Sequence, residues 1–182
     1  KVAAYEDFPT RHTIDGVDIL TGLEADAVIL KPNQAAGIVT GDCPVIVMEN
    51  TKTGNVVAAH AGRDSNIDRQ LIATGAPSRP HESVVASVLD YTAWRPDDVR
   101  VLVCGGIGPE HFEHPWSDTS YGATNRAMIE WIMQTYGEQC VAGSPENGRI
   151  DLFELIRSQC LSLGIPKEHV RHDGVDTYAH PR

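Results

Sequence analysis

The sequence predicts a mixed α+β domain in which strands and helices alternate and at least one strand pair is antiparallel. Two observations predict it. A nearly wholly apolar run, Pro44 to Met48, is followed by a turn-forming stretch, Asn50 to Asn55, and a second β-type run ending at His60, which together read as a β-hairpin. Beyond it, three segments with apolar residues at helical spacing are interspersed with the β-type run Val99 to Val103. A parallel doubly wound sheet would need each strand to be followed by a helix, which the hairpin breaks.

Gly37-Ile38-Val39-Thr40 is a short β-type run. In the hairpin the two strands are similar in length and antiparallel, so Cys43 and His60 fall at the same end. Arg63 to Pro80, with Gly75, Pro77, Ser78 and Pro80 towards its end, reads as a long loop. His81 to Thr92 places Val84, Val85, Val88 and Leu89 on one helical face. The strand Val99 to Val103 is stopped by Gly105 and Gly106. Asn125 to Tyr136 is helical through Met128, Ile129, Ile132 and Met133. Asp151 to Leu163 is helical with Leu152, Leu155, Ile156 and Cys160 inward, and Gly164 caps it ahead of Pro166. The chain shows no internal repeat and neither the dinucleotide nor the P-loop glycine pattern.

The chain has 182 residues, a length that fits one domain spanning residues 1–182. It carries 25 acidic and 15 basic side chains, a formal net charge of −10. That balance, without a basic run, argues against nucleic acid as a partner. No apolar stretch reaches the length of a membrane span, and no apolar signal core opens the chain. The expected setting is the cytoplasm, as a monomer or small homo-oligomer. The four cysteines, Cys43, Cys104, Cys140 and Cys160, are widely separated and read as reduced thiols. The chain begins at Lys1 without an initiator Met, which suggests a removed leader or a fragment.

The chemistry concentrates in Thr40-Gly41-Asp42-Cys43-Pro44 and Ala58-Ala59-His60-Ala61-Gly62-Arg63. A thiol and an imidazole at one end of a hairpin can bind zinc or act as nucleophile and base. The plainer alternative is an inert thiol beside a solvated imidazole. Asp42 is suited to orient a ligand or move a proton, or simply to form the turn. Arg63 is suited to an anionic group such as phosphate, with Arg11 and Arg69 as weaker options. His111 and His114 have a spacing that can chelate a second metal, or they are a solvated pair.

These segments resemble the YfiH family, once called multicopper polyphenol oxidases or laccase-domain proteins and described as purine nucleoside phosphorylases and peptidoglycan-editing factors. The resemblance rests on Asp42-Cys43-Pro44-Val45, the hairpin, and Val57 through Arg63. Ile107-Gly108-Pro109 with Phe112-Glu113, Asp151-Leu152, Gly164 and Asp176-Thr177-Tyr178 follow in the family's order. It implies a layered sandwich of mixed β-sheets flanked by helices. It also implies a metal site of one Cys and two His, which map onto Cys43, His60 and His12. His12 lies 31 residues before Cys43. Three protein ligands would leave zinc an open fourth position, the catalytic pattern. One Cys and two or three His cannot furnish a multicopper cluster, so zinc is expected over copper. The implied activity is phosphorolysis of adenosine, inosine, guanosine or methylthioadenosine, and adenosine deamination. Its substrates are a neutral nucleoside and phosphate, with Cys43, His60 and Asp42 catalytic and Arg63 binding substrate. The alternatives are a metal-free Cys–His hydrolase or deamidase, including peptidoglycan-precursor editing, and a non-catalytic relative. The sequence departs from the family where Trp-Arg-Gly is replaced by Arg63-Asp64-Ser65, and at Cys43-Pro44, which lacks an intervening residue. It has Asp176 where relatives often have Cys. Against the family it reads as a core without the usual N- and C-terminal ends.

Overall fold

The computed structural model describes residues 1–14, 17–22 and 24–179. Chain order runs β1 (Val2–Ala3), β2 (Thr10–Ile14), β3 (Val17–Thr21), β4 (Ala27–Leu30), β5 (Val45–Asn50), β6 (Val56–His60), α1 (Arg63–Asn66), α2 (Arg69–Thr74) and α3 (Val84–Thr92). It continues with β7 (Val99–Cys104), α4 (Gly122–Tyr136), β8 (Val141–Ala142), β9 (Arg149–Ile150), α5 (Leu152–Ser162) and β10 (Val170–His172). The principal sheet has six strands in the order β1-β4-β6-β5-β7-β10. Its four inner strands are antiparallel, while β1 joins β4 and β10 joins β7 in parallel, so the sheet is mixed as expected. The pairs β2-β3 and β8-β9 form two-stranded sheets of their own.

The hairpin forms because its turn is built into its sequence. The buried Asn50 side chain accepts hydrogen bonds from the backbone N–H groups of Lys52 and Thr53, and Gly54 supplies a φ of +70°. Alternation then decides the faces. Ile46, Met48, Val57, Val101 and Val103 point into a core closed by Val84, Val85 and Val88 of α3 and by Ile156 and Cys160 of α5. A second cluster joins Met128, Ile129 and Ile132 of α4 to Leu152 and Leu155 of α5, with Ile67 and Ile150. Register puts Val45 opposite both His60 and Cys104, so these three side chains form one row on the sheet's other face. That row ends the sheet at the candidate site.

Two expectations are corrected. Residues 37–40 form no strand, because Thr40 turns its hydroxyl onto the Cys43 carbonyl (2.7 Å) instead of entering a ladder. Residues 63–80 are not one loop, since α1 and α2 occupy most of the first part. Asp68 caps α2 through hydrogen bonds from the Gln70 and Leu71 N–H groups, and Gly75 ends it with a φ of +73°. Asp68 also accepts from the Ser78 N–H and hydroxyl, which ties down the remaining loop. No helix among the described residues is long and apolar enough to cross a membrane.

Candidate functional site

Cys43 just before β5 and His60 at the close of β6 lie at the same, open end of the hairpin. Their approach is set by turns pinned from several sides. The Asp42 carbonyl accepts from the Ile107 N–H (2.8 Å), and the Asp42 carboxylate accepts from the Thr177 hydroxyl (3.3 Å). Asp176 in turn accepts from the Gly108 N–H (3.0 Å), so the loop after β7 and the last described residues both brace the Cys43 turn. On the other strand the His60 N–H donates to the Asp26 carbonyl (2.7 Å) and the Ala61 N–H to the Pro44 carbonyl (2.8 Å).

Gly62 is where the two candidate side chains meet. A Cβ added there would lie 2.8 Å from Cys43 Sγ and 3.0 and 3.3 Å from His60 Cε1 and Nε2. Thiol and imidazole therefore converge on the space that glycine leaves, and the residue's φ of −68° shows that the need for glycine is steric, not conformational. Asn66, fully buried, fixes this glycine by donating to the carbonyls of Ala61 (2.7 Å) and Gly62 (2.9 Å). Gln159 of α5 donates to the Asn66 carbonyl (2.7 Å). Sequence reasoning missed Asn66 and Gln159, since neither carries chemistry and only the tertiary contact reveals them.

Burial pushes the Cys43 thiol above its ordinary pKa, the carboxylates of Asp42 and Asp64 push it further, and Arg63 opposes them only in part. The thiol is thus protonated at neutral pH, the opposite of a free catalytic thiolate.

Of the remaining candidates, Arg63 is engaged. It donates to Asp64 (3.0 Å), and its NH1 lies 3.1 Å from Nε2 of the buried His114. Asp64 also holds Arg69 (3.1 Å). Because arginine can only donate, His114 accepts at Nε2, and burial with the Arg63 charge lowers its pKa. Arg11 lies in the β2-β3 hairpin, 3.5 Å from Asp18. His111 stacks on Tyr178 (4.1 Å between ring centroids) while His114 faces Arg63, so the two are drawn to different partners and form no chelating pair.

The structure does not bring His12 together with Cys43 and His60. It sits exposed on β2 with Ile19 as its cross-strand partner, in a separate two-stranded sheet. Among the described residues no group of three or more His, Cys, Asp or Glu side chains is arranged to hold a metal ion. Cys43 and His60 have the donor chemistry zinc prefers, but they are two where a catalytic zinc takes three, so the set as folded does not complete a centre.

A cleft of about 320 Å³ opens beside His60, bounded by Phe8, Asp26, Val28, Val39 and Ala58, a size within the range of small-molecule sites.

The model of the family described as multi-copper polyphenol oxidoreductase laccase matches residues 6–182. The chain belongs to this family. Several solved structures share its fold. YfiH of Bacillus licheniformis, described as a hypothetical protein, is similar over 83% of this chain at 17% identity, with a TM-score of 0.52. YlmD of Geobacillus stearothermophilus is similar over 83% at 20% identity and a TM-score of 0.53. NMB0706 of Neisseria meningitidis is similar over 83% at 18% identity and a TM-score of 0.51. The chain spans about half the length of these structures, between 46% and 50%. No curated protein matches it closely enough to count as a relative. The family's name points to a metal, and the YfiH resemblance read from the Asp-Cys and His-Ala-Gly segments is borne out.

Proposed function

We propose that this laccase-domain chain processes purine nucleosides at the Cys43–His60 centre, by phosphorolysis and by adenosine deamination. The observation that carries the reading is the convergence of the Cys43 thiol and the His60 imidazole over Gly62, beside a small-molecule cleft. His60 lines that cleft and is proposed to exchange protons with a ligand in it, with Cys43 adjoining the imidazole over Gly62. In phosphorolysis a phosphate oxygen forms a bond to the ribose C1′ while the bond from C1′ to the purine nitrogen breaks. The departing purine needs a proton, and His60, Cys43 and Asp42 are the groups proposed to supply and relay it. Arg63 is proposed to hold the phosphate, since a guanidinium matches its oxygens. Phe8, which also lines the cleft, is proposed to offer a ring for the base.

Zinc is the metal proposed for the centre, with Cys43 and His60 as two of its ligands. When bound it would supply Lewis acidity and hold the thiol as thiolate.

The test is incubation of the metal-loaded chain with adenosine, with and without phosphate. Adenine and ribose 1-phosphate, or inosine, are expected. Absence of all three from folded protein overturns the reading.

A further inference from the structure

We propose that the sheet face turned away from the helices, on β6, β5, β7 and β10, is the surface on which a second copy of this chain docks. The two copies meet sheet against sheet, about a two-fold axis that runs between β5 and β7. The proposal is independent of the reaction assigned to Cys43 and His60.

Alternation along the strands sends two sets of side chains in opposite directions. Ile46, Met48, Val57 and Val103, all fully buried, face α3 and α5. Helix α1 packs on α3 and α5, and α2 on α4, so among the described residues the helices gather on that side. The opposite set forms rows across the sheet. Val28, Ala58, Val47, Leu102 and Arg171 are successive cross-strand partners, and Leu30, Val56, Glu49 and Arg100 make the next row. An antiparallel sheet with one wet face carries polar residues there. Here the middle of that face is Val45, Val47, Val56, Ala58 and Leu102, and Leu102 is 41% exposed. Strands that are apolar on both sides belong to a sheet covered on both faces.

Part of the cover comes from the chain itself. Ile19 and Leu20 of β3 and residues 33–37 line one groove with Val28 and Leu30, which screens the β4 end. That groove reaches no residue of β5, β7 or β10. By strand spacing and rise, the part left open measures roughly 300–400 Å². Apolar patches of this size on a monomer mark interaction sites. Two copies would bury on the order of 700 Å² together, the low end for specific association, so the dimer is weak and concentration-dependent.

Charge selects a second copy as the occupant. Glu49 and Arg100 are cross-strand partners at one end of the face, yet neither forms an ion pair among the described residues. A two-fold axis parallel to the strands and midway between β5 and β7 sets each Glu49 against the partner's Arg100. The same axis sets each Val47 against the partner's Leu102. Aligned stacking of this kind is one of the two ways sheets pack face to face. The face is thus its own complement, apolar on apolar and acid on base. Arg171, on the edge strand β10, falls at the rim, where its guanidinium stays in water.

Sedimentation equilibrium of the full chain between about 1 μM and 1 mM tests the surface. A reversible monomer–dimer equilibrium is expected for the wild type. Leu102→Glu, at an exposed position, should leave the chain folded by circular dichroism and abolish the dimer. Glu49→Arg and Arg100→Glu should each weaken it at least about tenfold, because each turns two attractive contacts into repulsive ones. The double variant Glu49→Arg/Arg100→Glu should restore it. Leu161→Glu, at an exposed leucine of α5, should leave it unchanged. A wild type that stays monomeric across that range overturns the proposal, whether the face then binds a hydrophobic dye, and so fits a different partner, or is found covered by the chain itself. Dimers that survive Leu102→Glu, or that the folded double variant fails to recover, overturn it as well.

Discussion

Replacing Gly62 with alanine isolates the convergence of the Cys43 and His60 side chains from the fold around them. The backbone there has φ −68° and ψ 175°, which alanine adopts freely, so the substitution carries no conformational strain. What it adds is a methyl group 2.8 Å from Cys43 Sγ and 3.0 Å from His60 Cε1. Optimal carbon contacts lie at about 3.5–4.0 Å, so thiol and ring must each retreat by roughly 0.5–1 Å. A displacement of about 1 Å at a reacting centre costs on the order of 100-fold in rate. Overpacking costs about 1–3 kcal/mol of stability. Adenosine turnover and iodoacetamide modification of Cys43 (in a Cys104→Ser background, Cys140 and Cys160 being buried) are the two assays. Gly62→Ala should fold with a modestly lowered Tm, lose turnover on the order of 100-fold, and alter the alkylation rate. Wild-type turnover together with a wild-type alkylation rate would refute the placement of Cys43 and His60 on one point.

The other predictions concern the groups around this point. Burial and the carboxylates of Asp42 and Asp64 raise the Cys43 pKa, so its alkylation should rise with pH later than that of a free thiol, and Asp64→Asn should move the curve down; a rate plateau already reached at pH 7 would contradict this. Asn66→Ala removes two hydrogen bonds from a fully buried position and leaves the carbonyls of Ala61 and Gly62 without that partner, which should cost about 2–4 kcal/mol in urea denaturation; a loss under about 0.5 kcal/mol would mean the turn is held otherwise. His114 has its pKa lowered by burial and by Arg63, below its ordinary value of 6.5, so the stability it contributes is present above that pH and falls away as pH drops through the folded-state value. His114→Gln should flatten the decline in Tm below pH 6.5, and an unchanged decline would contradict the assignment. His12→Ala should leave bound zinc unchanged, because β2 holds that side chain in a separate sheet; loss of zinc on substitution would restore it as a ligand.

The parts of the fold visible in the sequence were those whose reasons are local. The β5-β6 hairpin carries its own turn in Asn50 and Gly54, and that alone fixed the common end of Cys43 and His60. Helices α3, α4 and α5 announced themselves by apolar spacing, with Asp151 as an N-cap that accepts from the Glu154 N–H. The short strands β1, β4 and β10 were not legible, because strands of two to four residues owe their pairing to the sheet they join. Helix α2 had its caps in view, Asp68 and Gly75, but the Gly, Pro and Ser residues after it drew the whole stretch towards a loop reading. In the candidate site, Cys43, His60 and Asp42 could be read because thiol, imidazole and carboxylate are recognisable at a turn. Asn66, Gln159 and His114 could not, since each acts through a contact with a residue distant in sequence. The place of His12 could not be read, because its assignment rested on the resemblance and on separation along the chain, whereas the β2-β3 pairing decides where it lies.

Under the proposed function, Cys43 and His60 act together on a purine nucleoside. Product analysis by chromatography after incubating adenosine and phosphate with metal-loaded wild type, Cys43→Ala and His60→Ala tests it most directly. Adenine with ribose 1-phosphate, or inosine, is predicted from the wild type and from neither variant. Undiminished product from either variant, or none from folded wild type, would contradict it.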